Sequence, residues 1–579
     1  MAYLKFLEPS LQFINQIWRR MSLEPSDEVK TGPCEICKIP TEKKCSTCKL
    51  VYYCSQEHQK EHWKDHKEAC RPYKVCESQD LGKHLVAVRD LQPGDVIFTE
   101  TPLVFGPKPH KIEEGPFPCV GCCKLIDTSQ YSRCPECVWP CCGPDCEGLK
   151  APKLHGFECR VLRLRPPMES ASFYEYFRFD VLIILRALYL QKSSKEKWNH
   201  LMSLESHMDK RGEDTDVYRL IQEKVAHLEQ NYLKPLKAYE HEIGEEILPE
   251  VSSEVIHKIY AILDVNATET TEDFDAEILY PTASLVEHNC VPNTSQCIDE
   301  KNNFLVTFRA ALPIEKDAHI TSIYTHILWG TYARRQHLKK TKYFDCRCDR
   351  CKDPTELGSL VSALKCIGTE EVPCGGTQLP LNPLDDETNW VCDTCNIELP
   401  NKDIMKFVEH LSGEVEKVMV KNPSLSELED VLNKLMNFLG NNHYLVYIIK
   451  HTMVQLYDKV DSDGLEVSNS ILEEKLRMCE NLIDISKRLD PGNSRLNLYL
   501  AVLLNEYFNA KLKIFERAFD SEKKDEYNTS LKELLAILEG NRRVLQNELK
   551  SVAGSKLNQL VCENELKLLN WIHENKIDV

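Results

Sequence analysis

Paired cysteine and histidine residues, spaced to grip one metal ion from a tight turn, constrain the fold of this 579-residue chain more than any other feature. Four pairs between residues 34 and 70 supply two complete tetrahedral zinc sites. They are Cys34-x2-Cys37, Cys45-x2-Cys48, Cys54-x3-His58 and His66-x3-Cys70. The pattern recurs as Cys119-x2-Cys122, Cys134-x2-Cys137, Cys142-x3-Cys146 and His155-x3-Cys159, which predicts a second module of the same kind.

The 27 cysteines admit two interpretations, a disulfide framework or zinc sites. Residues 1–20 resemble a short amphipathic helix without the apolar core of a secretory signal, and histidines are interleaved with the CxxC pairs. Both observations favour zinc and a reducing compartment, so we expect the cytoplasm and nucleus.

Net charge and hydropathy argue against a nucleic-acid-binding protein and against a membrane-spanning one. A net charge of -18 argues against binding nucleic acid through a broad basic surface. The most apolar stretch, residues 179–190, is too short to span a membrane and contains Arg186. The length is enough for three or four domains.

Periodicity predicts the secondary structure around the cysteines. Residues 56–70 are predicted helical, which places His66 and Cys70 on one helix face, with His62 as an alternative ligand one turn earlier. Short strands are expected around a Pro93-Gly94 turn and across residues 278–325, helices from about 173 to 262, and successive helices from about residue 400. Breaks in these last helices are expected at Asn422-Pro423 and at Asp490-Pro491-Gly492.

Particular motifs resemble those of a known family. Tyr53-Cys54-Ser55 and Trp63-x2-His66-Lys67-x2-Cys70 resemble a MYND zinc finger. The SET domain of protein lysine methyltransferases is matched by His288-Asn289-Cys290-Val291-Pro292-Asn293, by Ile320-Thr321-Ser322-Ile323-Tyr324-Thr325, by the post-SET cysteines Cys346-x-Cys348-x2-Cys351 and by the loop Leu81-Gly82-Lys83-His84-Leu85. The chain therefore resembles the SET-and-MYND (SMYD) methyltransferases. Its extra N-terminal finger and Leu328-Trp329-Gly330-Thr331 are similar to the arthropod SmydA branch.

The resemblance implies a multidomain α+β fold. It consists of a β-rich SET fold split by a MYND finger, an extra N-terminal MYND finger, a post-SET zinc region and an all-α C-terminal domain similar to tetratricopeptide repeats. The expected domains are an N-terminal helix and linker (1–33), the first finger (34–70), the split SET domain (74–325, with an inserted finger at 119–159 and a helical part at 173–262), the post-SET region and zinc ribbon (326–398) and the helical domain (400–579).

The resemblance also assigns ligands to individual zinc ions. The first finger would use Cys34, Cys37, Cys54 and His58 for one ion and Cys45, Cys48, His66 and Cys70 for the other. The inserted finger would use Cys119, Cys122, Cys142 and Cys146, then Cys134, Cys137, His155 and Cys159. Cys123 and Cys141 would be spare cysteines, with a one-residue shift in ligand choice as the alternative. The post-SET set would be Cys290, Cys346, Cys348 and Cys351. Apart from the resemblance, the cysteines Cys366, Cys374, Cys392 and Cys395 indicate one more site, of the ribbon type.

For the reaction, the resemblance implies S-adenosylmethionine as methyl donor and a target lysine as acceptor. Tyr324 would orient the lysine amine, with a packed strand aromatic as the alternative role, and Phe344 would line the lysine channel. The residues expected at the cofactor site are Gly82, Lys83, Asn266, Glu287, His288, Tyr324 and Phe344. His288 is equally compatible with a core histidine whose ring nitrogens are satisfied within the protein.

Three positions depart from the family pattern. Glu287 replaces an asparagine of the Asn-His-Ser-Cys motif, Asp317-Ala318-His319 replaces a Gly-Glu-Glu turn, and His84 replaces a loop glycine. Glu287 would repel the cofactor carboxylate and attract its ammonium, so the sign of its net effect stays open. A residue other than glycine at the turn is expected to be strained.

Two hypotheses follow. The first is a protein lysine N-methyltransferase acting on histone or other protein substrates, expected to be monomeric. The second is a catalytically weak scaffold that binds partner peptides through its MYND fingers and helical domain, with a role in transcriptional regulation. The helical domain would either hold a peptide on its concave face or simply cap the SET domain.

Overall fold

The computed structural model describes most of the chain. The described residues are 31–45, 51–108, 116–127, 129, 131–165, 177–271, 273–369, 371–457, 467–520, 527–575 and 577. The predicted N-terminal helix and the metal ligand Cys48 lie outside the described residues.

The α-helices fall into three groups along the chain. One belongs to the first finger, the next to the inserted finger and the middle of the chain, and the last to the C-terminal third. Their bounds are Gln56–Cys70, Glu147–Lys150, Phe157–Leu162, Asp180–Ser193, Lys195–Met202, Asp216–Leu228, Lys234–Ile243, Ser253–Asn266, Thr331–Thr341, Asp349–Lys352, Asn401–Met419, Leu425–Leu435, Tyr444–Val454, Asn469–Leu489, Asn497–Ala518, Asn528–Leu545 and Val552–Glu574.

The strands are short and form several small sheets. Their bounds are Gly32–Pro33, Pro40–Thr41, Tyr73–Ser78, Gly82–Ala87, Val96–Glu100, Val104–Pro107, Phe117–Pro118, Leu125–Ile126, Ser132–Arg133, Pro140–Cys141, Thr268–Thr271, Asp275–Leu279, Glu287–His288, Thr294–Asp299, Leu305–Ala310, Thr321–Ser322, Leu364–Lys365, Thr377–Pro380, Asn389–Cys392 and Glu398–Pro400.

The predicted helix of the first finger is present as Gln56–Cys70. Ser55 caps it, since its side chain accepts a hydrogen bond from the His58 backbone N–H and satisfies a donor that the helix start would leave free. This cap places the predicted ligand His58 in the first turn, four residues after Cys54.

The β-rich part contains two three-stranded antiparallel sheets, besides two-stranded ones. In one, Leu305–Ala310 lies between Thr294–Asp299 and Val96–Glu100. In the other, Asp275–Leu279 lies between Thr268–Thr271 and Val104–Pro107. Strands from before and after the inserted finger therefore share sheets, so the finger interrupts a fold that closes around it.

A short parallel pair carries the candidate chemistry. Glu287 lies opposite Thr321, and His288 lies opposite Ser322. Asn293 fixes this pairing, because its Oδ1 accepts from Thr321 N–H at 2.8 Å and its Nδ2 donates to the His319 carbonyl at 2.8 Å. The two motifs that resemble a SET domain are thus held side by side.

The C-terminal helices pack directly on the SET part. Ile323, Ile327 and Leu328 share one buried cluster with side chains of the helices from 401 to 503. Arg495 also donates to the Ser322 hydroxyl at 3.0 Å. The two predicted breaks are confirmed, since helices end at Met419 and Leu489. The fold class predicted from the sequence is confirmed, and its helical domain covers the SET part. In the described part of the chain, no helix has the length and apolarity needed to cross a bilayer.

Gly106 lies where the strand Val104–Pro107 packs closely against the helix Asp180–Ser193. A Cβ built on Gly106 would lie 2.7 Å from the Ile183 Cβ and 2.9 Å from the Ile183 backbone nitrogen and Cα. Real Cβ atoms do not come this close to backbone, so any side chain here must push the helix Asp180–Ser193 off the strand Val104–Pro107.

We therefore expect Gly106→Ala to lower the thermal unfolding midpoint, with an overpacking cost of about 1–3 kcal/mol. Gly413→Ala is the matched control, because Gly413 lies within the helix Asn401–Met419 and a Cβ added there would have no heavy atom of another element within 4 Å. Alanine there should raise the midpoint, since alanine is favoured over glycine by about 0.5–1 kcal/mol in helices. Equal midpoints for the two variants, measured by circular dichroism, would contradict this account of Gly106.

Candidate active site and metal centres

Sulfur separations test whether the cysteine clusters fit zinc. A tetrahedral ion with Zn–S bonds of about 2.3 Å places its sulfurs about 3.8 Å apart, whereas a disulfide needs about 2.05 Å. The measured pairs include Cys119–Cys146 at 3.7 Å, Cys122–Cys142 at 3.8 Å and Cys374–Cys392 at 3.8 Å. The described cysteines form no disulfides. Zinc therefore fits these clusters.

In the first finger, the structure brings together Cys34, Cys37, Cys54 and His58. For the second ion, Cys45 and Cys70 lie with their sulfurs 3.7 Å apart and His66 is buried, while Cys48 lies outside the described residues. The alternative ligand His62 instead contacts the Tyr53 hydroxyl through Nδ1 at 2.8 Å.

The inserted finger gathers both of its predicted sets, Cys119, Cys122, Cys142, Cys146 and Cys134, Cys137, His155, Cys159. Behind the second set, His155 Nδ1 faces Glu158 at 3.7 Å, and Glu158 is paired with Arg186 at 2.6 Å. All three are buried. The spare Cys123 and Cys141 stay outside both sets, and burial raises their thiol pKa to about 12 and about 11.

The last two predicted sets also assemble. Cys290 meets the post-SET residues Cys346, Cys348 and Cys351, and the ribbon residues Cys366, Cys374, Cys392 and Cys395 meet each other. In the post-SET cluster, Cys290 Sγ lies 3.9 Å from Cys346 Sγ and 3.5 Å from Cys351 Sγ. This cluster joins segments more than 50 residues apart in sequence, which local spacing alone does not predict.

A buried guanidinium lies against the post-SET sulfurs. Arg334 Nε donates to Cys290 Sγ at 3.2 Å, and its Nη2 lies 3.6 Å from Cys351 Sγ. Its Nη1 pairs with Glu356 at 2.6 Å, and Glu356 also pairs with Arg350 at 3.0 Å. Both arginines are fully buried. Four thiolates and Zn²⁺ carry two net negative charges, so Arg334 supplies the opposite charge that such a buried site needs.

His288 links the same cluster to Tyr324. The Tyr324 backbone N–H donates to His288 Nδ1 at 2.9 Å, and His288 Nε2 lies 3.3 Å from Cys290 Sγ. Because a backbone N–H can only donate, Nδ1 is the acceptor and Nε2 carries the proton of the neutral ring. Nε2–H then donates to the cysteine sulfur. Both ring nitrogens are satisfied within the protein, as the alternative role of His288 requires.

Tyr324, His288 and Phe344 form one aromatic group. The His288 ring centroid lies 5.3 Å from that of Tyr324 and 5.8 Å from that of Phe344. The Tyr324 hydroxyl donates to the Val286 carbonyl at 2.6 Å. Burial, and then the nearby Glu287 carboxylate, raise the pKa of Tyr324, so its hydroxyl keeps its proton at neutral pH. About 37% of Tyr324 and of Phe344 stays exposed, which leaves them accessible to a ligand.

The three departures from the family pattern are joined through His319. Glu287 Oε1 lies 2.9 Å from His319 Nδ1, and the His319 ring stacks on His84 with centroids 4.9 Å apart. Glu287 Oε2 is buried and has no hydrogen-bond partner. Asp317 adopts the left-handed φ of 64° expected of the turn and pairs with Lys74 at 3.0 Å.

The remaining predicted cofactor residues flank this group. Gly82 begins a strand with a φ of 63° and open space around its Cβ position, and Lys83 beside it is exposed. Asn266 ends a helix, and its Nδ2 donates to the carbonyls of Glu205 and Ile262 at 2.7 Å. The assignments of all these residues to a cofactor remain predictions.

Sequence reasoning missed the charged side chains behind the cysteines. Arg334 and Leu338 are four residues apart, so they share one face of the helix Thr331–Thr341, and both are fully buried. The signal in the sequence was an arginine four residues before a leucine, a spacing that places both on the same face of a helix. It was overlooked because arginine usually marks the solvent face of a helix.

Comparison with known proteins finds similarity to a MYND finger and to SET domain proteins. The family model for the MYND finger matches residues 34–70. The SET domain-containing protein SmydA-8 of Drosophila melanogaster (isoform B) is 24% identical over 432 residues, which cover 73% of this chain and 88% of that protein. Histone-lysine N-methyltransferase ASHR1 of Arabidopsis thaliana is 23% identical over 72% of this chain and 82% of its own. N-lysine methyltransferase SMYD2 of Rattus norvegicus is 26% identical over 285 residues, which cover 47% of this chain and 59% of that protein.

The finger match and these relatives confirm the resemblance of this chain to SET-and-MYND proteins. Within that class, the similarity to SmydA-8 over nearly three quarters of the chain confirms the resemblance to the SmydA branch.

We expect Arg334→Met to weaken zinc binding at the post-SET cluster, because the thiolates lose a charged donor and Glu356 loses one of its two arginine partners. Outer partners of metal ligands typically contribute 10- to 100-fold in affinity. Zinc release to a chromogenic chelator should therefore gain one fast phase, at least about tenfold faster than in the wild type. Arg347→Met is the control, since Arg347 lies between two of the same cysteines but is exposed. Identical release from both variants would contradict the assignment.

Proposed function

We propose that this protein is an S-adenosylmethionine-dependent protein-lysine N-methyltransferase. The observation that carries the proposal is the position of Tyr324, whose backbone is held by His288 and whose hydroxyl is kept protonated beside two further aromatic rings. The names of the relatives ASHR1 and SMYD2, both lysine methyltransferases, support it.

Two features of the structure fit the methyl donor. The left-handed, unobstructed backbone at Gly82 allows a ligand to approach closely, as only glycine does without strain. The buried Glu287 Oε2 lacks a donor, and leaving such an atom unpaired costs about 1–3 kcal/mol. The α-ammonium of S-adenosylmethionine is a donor of the required charge.

The methyl donor would supply an electrophilic methyl group, and the chain would position the amine that attacks it. Tyr324 and Phe344 would surround the lysine stem with apolar faces and so lower the pKa of its ammonium, because the neutral amine is the nucleophile. The protonated Tyr324 hydroxyl would orient that amine. Most of the catalysis would come from this alignment and from exclusion of water.

The first test is calorimetric titration of the zinc-loaded chain with S-adenosylmethionine, followed by methylation of a lysine peptide library. We expect micromolar binding, and we expect Tyr324→Phe to keep that binding while lowering kcat about 10- to 100-fold through misorientation of the amine. Tyr332→Phe, in the neighbouring helix, is the matched control. A wild-type chain that binds no S-adenosylmethionine would refute the enzyme and favour the scaffold.

A second titration decides the sign of the Glu287 effect. If Glu287 accepts the α-ammonium, Glu287→Gln weakens S-adenosylmethionine binding about tenfold, the equivalent of about 1.4 kcal/mol. Binding of 5′-methylthioadenosine, which lacks both the ammonium and the carboxylate, should not change. Tighter binding of S-adenosylmethionine by the variant would instead mean that Glu287 repels the cofactor carboxylate.

A protein substrate with an accessible lysine is the partner that this function requires. We further propose that partner peptides dock on the first finger, where Ile39 and Trp63 are exposed to 60% and 41%. We propose a monomer in cytoplasm and nucleus that does not bind nucleic acid directly, in keeping with the net charge of -18.

A further inference from the structure

A lysine of the chain itself lies at the candidate catalytic tyrosine. Lys342 follows the helix Thr331–Thr341 and precedes the post-SET cysteines. Its Nζ lies 5.9 Å from the centroid of the Tyr324 ring, over the ring face. The ammonium donates to the Val265 carbonyl at the end of the helix Ser253–Asn266. Lys342 therefore sits between the aromatic group and the helical part of the SET domain.

The surroundings of Lys342 favour loss of its proton, and the neutral amine is the form of lysine that accepts a methyl group. Burial lowers the pKa of Lys342, although the Asp264 carboxylate opposes the shift. No described carboxylate forms an ion pair with it, and its hydrogen-bond acceptor is a neutral carbonyl. The nearby Lys339, by contrast, pairs with Asp386 at 2.6 Å and with Asp345 at 3.2 Å. Of the two, Lys342 loses its proton more readily.

The neighbouring backbone is held in place by contacts that do not involve the Lys342 side chain. Tyr343 adopts a left-handed φ of 60°, and its hydroxyl accepts from Arg211 Nε at 2.9 Å. The His207 ring lies 5.0 Å from the Tyr343 ring. The main chain beside Lys342 is thus anchored independently of the amine, which the structure binds to one neutral carbonyl and holds over the Tyr324 ring.

We propose that Lys342 is a self-methylation site of this protein, modified by the site that contains Tyr324. This inference rests on the proposed methyltransferase function. Because the acceptor is part of the same chain, the reaction needs no substrate encounter, and a well-placed intramolecular nucleophile has a very high effective concentration.

The chemistry balances with the proposed methyl donor alone. The Lys342 ammonium gives one proton to water, and the nitrogen lone pair then forms a bond to the donor's methyl carbon. The carbon–sulfur bond breaks with its electron pair left on sulfur. The products are methylated Lys342, which is a cationic ammonium, S-adenosylhomocysteine and the released proton.

The test is peptide mass spectrometry of the zinc-loaded full chain after incubation with S-adenosylmethionine that carries a deuterated methyl group. We expect label on Lys342 and none on Lys339 or on the exposed Lys340, so one short segment contains its own controls. The rate should be first order and independent of protein concentration. Tyr324→Phe should slow labelling about 10- to 100-fold, and Lys342→Arg should abolish it without loss of S-adenosylmethionine binding, measured by calorimetry.

Other outcomes separate this inference from the function it rests on. A chain that binds S-adenosylmethionine and methylates a supplied peptide, yet leaves Lys342 unlabelled, overturns self-methylation and keeps the enzyme. A higher peptide rate in Lys342→Met would then identify Lys342 as an obstruction of the site. Label on Lys342 that grows with protein concentration would make the reaction intermolecular and also overturn the proposal. No S-adenosylmethionine binding at all overturns both.

Discussion

The sulfur of Cys290 is the point on which the rest of the site depends. It belongs to a metal cluster with cysteines more than 50 residues away, accepts from the buried Arg334, and accepts from His288, which in turn holds the Tyr324 backbone. Each of these contacts requires sulfur with anionic character, which zinc coordination maintains. A zinc ion held there would take no part in methyl transfer, yet its ligand Cys290 connects through His288 to the backbone of the candidate catalytic tyrosine.

Buried ion pairs behind two of the zinc sites likewise connect metal ligands to the protein core. Glu158 and Arg186 lie behind the inserted finger, and Arg334, Glu356 and Arg350 lie behind the post-SET cluster. The desolvation of a buried ion pair costs more free energy than the attraction between its two charges recovers when the pair has no other charged or polar neighbours. Here they face metal ligands, and removing one member would leave several others uncompensated. The inserted finger and the post-SET region are therefore parts of the core rather than attachments to it.

Spacing within short segments predicted local structure well. The helix Gln56–Cys70, the C-terminal helix breaks and the pairing of neighbouring cysteines follow from local rules of capping, proline placement and ligand geometry. The meeting of Cys290 with Cys346 came only from the family resemblance, because no local rule relates positions so far apart. The positions of Arg334 and Lys342 were missed altogether. Tertiary packing buries Arg334 and half-buries Lys342, whereas composition alone places such residues on the surface.

In the sequence, the three departures from the family pattern look like three separate losses of family contacts. The structure shows that they lie together. Three independent losses would leave three family contacts unmade. Instead His319 contacts both Glu287 and His84, which come from segments that are distant in sequence. Asp317 takes up the left-handed turn, a conformation that aspartate tolerates better than most residues. The substitutions thus amount to one rebuilt corner of the site, which includes a buried carboxylate oxygen of Glu287 that has no hydrogen-bond donor in the described part of the chain.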